Sequence, residues 1–152
     1  MVPPSSYSEW HTLMDEISSA PRNNDYIQMV RMGTVSWTSG VAERFIQTVS
    51  NTIRNRINTA QDVYQRQIKN SKGGDMAVAN ALSVLTKEYR YLYQLSVALP
   101  IPSEYVEQMK KIIQDQANQT YDSLMDSARA DRTGKLASIV RSAGVNKLSV
   151  GG

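Results

Sequence analysis

The sequence contains no cysteine and only one histidine among its 152 residues. Without cysteine there are no disulfides, no thiolate metal ligands and no thiol nucleophile. His11 has no second imidazole with which to complete a metal site. The serines occur without a G-x-S-x-G elbow, and Gly73-Gly74 lacks the glycine spacing of a phosphate-binding loop. We therefore predict a protein that is not an enzyme, with no metal, no cofactor and no small-molecule substrate.

Long apolar runs and alternating patterns are missing as well. No stretch reaches the roughly 18 apolar residues that a membrane span needs. The start, M-V-P-P-S-S-Y-S, has neither the basic residues nor the apolar block of a secretory signal. No segment alternates apolar and polar residues for long enough to predict a strand. We expect no transmembrane segment, no signal peptide and an all-α helical bundle.

One long stretch, Ser39–Asn70, organises the rest of the chain. It has no proline, and its only glycine is Gly40, so it predicts one helix roughly 45 Å long. Apolar residues recur along it at steps of three or four, which marks an edge that packs against protein. This edge comprises Phe45, Val49, Ile53, Ile57, Ala60 and Tyr64. We predict that this long helix acts as an arm beside the bundle.

The opposite face of the same stretch is rich in arginine and amide side chains. Gln61 falls on this face too, and Glu43 and Asp62 are the only acids in the stretch. Donors without competing acids suit contacts with phosphates, although ordinary solvent-exposed helices also carry such residues. Arg56, on the border of the apolar edge, is a candidate to contact either DNA or a partner subunit. The predicted nucleic-acid-binding residues are Arg44, Gln47, Asn51, Arg54, Asn55, Asn58, Gln65, Arg66 and Lys69.

Charge is distributed unevenly around a net +3. Residues 1–28 have one arginine against four acids, whereas residues 29–72 have seven cations against two acids. Residues 73–128 have four cations against seven acids, and residues 129–152 have five against one. The cations thus concentrate on the long helix and at the C-terminal end. This segregation favours a polyanionic partner, with plain solvated faces as the alternative.

The remaining pattern predicts shorter helices and a core. An S-x-x-E capping box at Ser6 precedes a short helix from about Tyr7 to Ser19, and Asn23–Asp25 starts another that ends at Gly33. Apolar stripes predict two core helices, one from Met76 to Leu99 and one that begins at Ser103, and a short last helix at 136–140. The predicted organisation is an N-terminal arm with short helices (1–38), a long polar-basic helix (39–72), a core helical bundle (75–145) and a tail (146–152).

Tyrosine is frequent, with eight residues against one phenylalanine, and Tyr89, Tyr91 and Tyr93 crowd one helix. A tyrosine can pack its ring and still hydrogen-bond through its hydroxyl. This combination suits a face buried against neighbouring subunits, and it equally suits the wet edge of a core.

The tyrosine-rich helix, the proline turn and the following helix read E-Y-R-Y-L-Y-Q-L-S-V-A-L-P-I-P-S-E-Y-V-E-Q-M-K-K-I-I over Glu88–Ile113. This pattern resembles the core hairpin of the major coat proteins of filamentous and rod-shaped archaeal DNA viruses. The resemblance implies a helical nucleocapsid in a virion, in which N-terminal helices wrap double-stranded DNA held in A-form. It also implies copies of the chain, and in enveloped members a paralogous coat protein, as partners.

Two hypotheses of different classes follow. The first is a structural nucleoprotein, a viral coat protein that polymerises along double-stranded DNA and contacts phosphates without reading sequence. The second is a cytoplasmic protein-interaction module, such as an adaptor, chaperone or secretion component, whose long helix docks on another protein. The first requires salt-dependent binding to DNA and open-ended polymers. The second requires indifference to DNA and a small, defined oligomer.

Overall fold

The computed structural model describes residues 2–35, 39–70 and 75–130. Within these ranges it describes the side chains of all residues except 39–42, 68–70, 75–79, 121 and 123–130. No strand occurs in these ranges, so the predicted all-α class is confirmed. The helix predicted at 136–140 and the tail 146–152 lie outside the described residues. The helices are α1 (Tyr7–Ser19), α2 (Asn24–Met32), α3 (Ser39–Asn70), α4 (Asp75–Ala98) and α5 (Ser103–Ala130).

Local capping explains where the first two helices begin. The Ser6 side chain accepts a hydrogen bond from the backbone N–H of Glu9, and the Asn23 side chain accepts one from the N–H of Asp25. The Glu9 carboxylate accepts hydrogen bonds from the Ser5 and Ser6 hydroxyls, each at 3.1 Å. The predicted capping box is therefore present in a variant form, in which the glutamate bonds to hydroxyl groups and not to the backbone N–H of the N-cap residue. The two bonds from the backbone of Glu9 and Asp25 satisfy helix N–H groups that have no partner within the helix.

The helices pack into two units. Unit 1 comprises Met1–Arg56 and Tyr91–Lys111, and unit 2 comprises Ile57–Arg90 and Ile112–Gly152. Helices α1 and α2 belong to unit 1, whereas α3, α4 and α5 each contribute a segment to both units. Each unit therefore combines parts of the chain that are distant in sequence, and neither coincides with one of the four predicted segments.

The core of unit 1 centres on Trp10. Its ring is 1% exposed and meets the Phe45 ring edge-on, with the centroids 5.0 Å apart. Its indole N–H donates to the carbonyl of Thr34 at 2.8 Å, and the N–H of Thr34 donates to the carbonyl of Pro4 at 2.9 Å. These contacts hold the N-terminal segment and the end of α2 on α1. The other buried apolar side chains of unit 1 include Leu13, Met14, Ile17, Val30, Val49, Ile53, Leu92, Leu95 and Met109.

Gly33 ends α2 and lies against the Trp10 ring. Its dihedral angles, φ −70° and ψ 161°, are open to any residue, so backbone conformation does not require glycine here. The requirement is spatial, because a Cβ atom at this position would overlap the edge of the Trp10 ring and would touch Pro4. Glycine therefore permits the close approach on which the Trp10 packing depends.

We expect Gly33→Ala to lower the free energy of unfolding by about 1–3 kcal/mol, because the added methyl group overpacks a site with no room to move. Urea unfolding followed by circular dichroism measures this change. Met32→Ala, at the adjacent position where the side chain is 64% exposed, is the control and is expected to change stability by under about 0.5 kcal/mol. Equal stability of the Gly33→Ala protein and wild type would show that the Trp10 contact is unimportant.

Unit 2 contains a hydrogen-bonded network that links α3, α4 and α5. The Gln61 amide donates to the Tyr89 hydroxyl at 3.2 Å and to the Gln116 side chain at 2.9 Å, and the Tyr89 hydroxyl lies 3.1 Å from the Thr120 hydroxyl. The predicted placement of Gln61 on the exposed face is therefore wrong: it is half-buried because neighbouring helices supply partners for its amide. Around the network, the buried apolar side chains are Ile57, Ala81, Leu82, Leu85, Ile113 and Ala117.

The Tyr64 hydroxyl is buried next to this network but has no hydrogen-bond partner among the described residues. Burial, and secondarily the proximity of Tyr89, raise the pKa of the Tyr64 hydroxyl far above its ordinary value. A raised pKa means that the folded state holds this proton more tightly than the unfolded state does. The resulting contribution to stability is complete below the ordinary tyrosine pKa of about 10 and is lost as pH rises above it.

We expect Tyr64→Phe to leave stability at pH 7 unchanged or to raise it by up to about 1 kcal/mol, because it removes a buried hydroxyl that has no partner among the described residues. The decline in stability above about pH 10 should become shallower, since one ionisation no longer opposes folding. Urea unfolding at pH 7 and pH 10.5 measures both effects. The matched control, Tyr89→Phe, removes a bonded hydroxyl and should cost about 1 kcal/mol. A Tyr64→Phe protein as unstable as the control would contradict the assignment.

Candidate nucleic-acid interface

The apolar edge of α3 is buried, and this determines which side of the helix faces outward. In unit 1, Phe45, Val49 and Ile53 are each no more than 3% exposed. Ile57 in unit 2 is also buried, whereas Ala60 and Tyr64 are half-buried. The predicted apolar edge is therefore confirmed along its first three turns and partly buried beyond them.

Unit 1 holds five of the nine predicted nucleic-acid-binding residues, and all five are exposed. At 100° per residue they fall within an arc of about 100° opposite the buried edge. Arg44 and Arg54 lie about 15 Å apart along the helix axis. None of the five side chains hydrogen-bonds to another residue in the described part of the chain. We call this surface the unit 1 donor face: Arg44, Gln47, Asn51, Arg54 and Asn55.

Glu43 is the only acid within the α3 segment of this unit, and it is exposed. It precedes Arg44 and lies at the edge of the arc, about 80° from Asn51 on the helical wheel. Two guanidinium groups and three amides therefore face the solvent beside a single carboxylate. Such a surface offers donors to an anionic ligand and little competition for them.

Unit 2 holds the remaining four predicted residues, and the charge around them is less favourable for binding an anion. Asn58, Gln65 and Arg66 are exposed, and the side chain of Lys69 lies outside the described ones. Asp62, one turn before Arg66, is also exposed. One described cation and one acid thus share this segment of α3, so the unit 1 donor face is the stronger candidate.

Arg56 is not part of either exposed surface, and its predicted contact with DNA or a partner subunit is wrong. The side chain is only 8% exposed. Its guanidinium donates to the carbonyls of Ile17 and Ala20, at 2.5 and 2.6 Å, and lies 5.0 Å from the centre of the Tyr91 ring. Helix α1 has no basic residue in its last turn, so Arg56 supplies the positive charge that the carbonyl end of a helix favours.

A sequence signal for this role exists. On the helical wheel, Arg56 falls between Phe45 and Val49, inside the buried arc and not on its border. A cation in that position must meet partners inside the protein, because an unpaired charge is costly to bury. The lack of a basic residue in the last turn of α1 is the complementary signal.

The three clustered tyrosines of α4 belong to the core or its edge. Tyr89 and Tyr91 are 2% and 4% exposed, and the Tyr91 hydroxyl donates to the carbonyl of Asn23 at 3.4 Å. Tyr93 is half-buried, with the Lys110 ammonium 5.4 Å from its ring centre. A hydrogen bond to Glu107, and a second to Tyr93, raise the pKa of Lys110. These rings therefore pack within their own units, so a subunit contact is not needed to explain their burial.

No other kind of site emerges among the residues described above. They include no group of three or more histidine, aspartate or glutamate side chains placed to hold a metal ion. Among the described helices, none combines the length and the apolarity needed to cross a bilayer. No protein-family model, curated protein or solved structure matches this chain. Function is therefore inferred from the residues themselves.

We expect Arg56→Gln to lower the free energy of unfolding by about 2–4 kcal/mol, because it removes two charge-assisted hydrogen bonds from a buried site. Arg54→Gln is the matched control, the same substitution on an exposed position of the same helix, and should change stability by under about 0.5 kcal/mol. Urea unfolding of both proteins measures the difference. Similar stabilities for the two would mean that Arg56 does not hold the end of α1.

Proposed function

We propose that this protein is a structural nucleoprotein, a coat subunit that polymerises along double-stranded DNA. The observation that carries the proposal is the unit 1 donor face, which presents two arginines and three amides to solvent. None of these side chains hydrogen-bonds to another described residue, so their donors can face a ligand. The resemblance of Glu88–Ile113 to archaeal viral coat proteins supports the same function, with the virion as its location.

The chemistry of this face suits the phosphate backbone. Arginines that neutralise phosphates release condensed counterions, which drives binding without regard to base sequence. Asparagine and glutamine add hydrogen bonds to phosphate oxygens and orient the protein on the duplex. The two arginines lie about 15 Å apart along the helix axis, which matches the scale of the roughly 6 Å and 12 Å grooves of B-form DNA and would let them contact phosphates on both sides of one groove.

The face is also preorganised. Helix α3 is anchored from behind by Phe45 against Trp10, with the centroids 5.0 Å apart, and by Arg56 at the end of α1. A surface on a helix that is already in place loses less conformational entropy on binding than a segment that must first fold. The donors can therefore act together along one strand or across one groove.

The finer features of the proposal come from the resemblance. Helices near the N-terminus would wrap DNA held in A-form, and the subunits would be copies of this chain or copies paired with a paralogous coat protein. A helical polymer has many equivalent contacts, so weak binding by each subunit is sufficient for a stable nucleocapsid.

The alternative function is a protein-interaction module. Met32 and Val97, both in unit 1, are 64% and 53% exposed, and exposed apolar side chains favour contact with another protein. They also suit contact between copies in a coat. The two functions differ in their response to DNA, which the following experiment measures.

We expect the full-length protein to bind a random 30-base-pair duplex at low salt, with affinity falling steeply between 50 and 300 mM NaCl. Each neutralised phosphate contributes about 0.9 to the slope of log K against log salt concentration, so Arg44→Gln with Arg54→Gln should reduce the slope by about 1.8. Fluorescence anisotropy of labelled DNA measures affinity at each salt concentration. Electron microscopy of the complex should show filaments.

The matched control is Arg22→Gln with Arg31→Gln, which removes the same charge from exposed positions of unit 1 outside α3. It should leave the slope within about 0.5 of the wild-type value. No binding of wild type at low salt would rule out the nucleoprotein and favour the interaction module. Equal losses in the two double variants would show that net charge, and not this face, binds DNA.

A further inference from the structure

Unit 1 has a groove that the donor face does not use. It lies between the N-terminal segment, α1 and α2, and its volume is about 240 Å³. Pro4, Leu13 and Met29, all buried, form an apolar floor. Polar side chains and one exposed apolar side chain form the rim. These rim residues are Val2, Ser8, Glu9, Thr12 and Glu16.

The rim carries two negative charges. Glu9 and Glu16 are seven residues apart, about 10 Å along α1. Hydrogen bonds orient both carboxylates, since Glu9 accepts from the hydroxyls of Ser5 and Ser6 and Glu16 accepts from the Tyr26 hydroxyl at 2.9 Å. The bond to Glu16 also raises the pKa of Tyr26. No lysine or arginine is among the groove's described lining residues, so the groove presents apolar and acidic groups to whatever binds in it.

The C-terminal part of the chain has the complementary composition. Residues 131–152 contain four cations against one acid. Three of the cations, Arg132, Lys135 and Arg141, flank a short apolar group made up of Leu136, Ile139 and Val140. Cations on either side of apolar side chains match an apolar floor between two carboxylates.

We infer that the groove binds residues 132–141 of a second copy of this chain. The choice of a second copy rests on the proposed function, because a coat must polymerise. A contact between two different surfaces of identical subunits, repeated without closure, generates an open helical filament. The acidic groove and the basic segment are two such surfaces, one of each per chain.

A charge exchange between full-length chains, studied without DNA, tests this contact. One variant reverses the groove (Glu9→Lys with Glu16→Lys), and the other reverses the segment (Arg132→Glu, Lys135→Glu and Arg141→Glu). Sedimentation velocity should show that each variant alone associates at least about tenfold more weakly than wild type, because like charges now meet. An equimolar mixture should restore association to within about threefold of wild type, because each reversed surface then finds a complementary one.

Two results would overturn the inference. Variants that associate as wild type does would assign the groove to an unrelated partner. A wild type that stays monomeric, with no association in the mixture, would mean that the segment docks within its own chain or not at all. Because DNA is absent, loss of this contact is distinguishable from loss of the DNA binding measured separately on wild type.

Disulfide trapping keeps the test valid if a charge variant fails to fold. The chain has no cysteine, so a Thr12→Cys chain mixed with a larger, tagged Ser138→Cys chain can form one mixed disulfide. The mixed dimer should form at least about tenfold faster than with Ser19→Cys, an exposed position of α1 outside the groove. Equal rates at the two positions would contradict docking in the groove.

Discussion

The Arg56 guanidinium organises unit 1 from inside. A charge removed from water is costly unless fixed partners replace the water, and here the carbonyls of Ile17 and Ala20 and the Tyr91 ring do so. The arrangement joins the end of α1 to α3 and α4. The guanidinium therefore has all of its partners only when these three helices are packed together. Because α1 forms one wall of the groove and α3 carries the donor face, both surfaces depend on this arginine.

Helix α3 has two sides with different roles. Its apolar edge contributes Phe45, Val49 and Ile53 to the core of unit 1, and the opposite side leaves arginines and amides exposed. Conformational stability and ligand contact are therefore assigned to different residues of one helix. In the proposed coat subunit, this separation would allow the fold to hold its shape while the outer side chains adapt to a ligand whose sequence does not matter.

Much of the candidate site was predictable from sequence, because exposure on a long helix follows its period. Eight of the nine predicted residues have described side chains, and all eight are exposed. The errors are Arg56 and Gln61, polar residues that neighbouring helices draw inward by offering carbonyl, ring and amide partners. The groove between α1 and α2 had no sequence signal, because Pro4, Leu13 and Met29 meet only when two helices and the N-terminal segment pack together.

The sequence by itself determined the bounds of α1 (Tyr7–Ser19) and α3 (Ser39–Asn70), and it placed those of α4 to within one residue at each end. Caps, prolines and apolar periods act within a few residues of each other, so they can be interpreted without knowledge of the fold. The tertiary structure alone decided why position 33 must be glycine and which carbonyls receive the Arg56 guanidinium. Both answers depend on residues at least 20 positions away, Trp10 for the glycine and Ile17 for the arginine, which packing brings into contact.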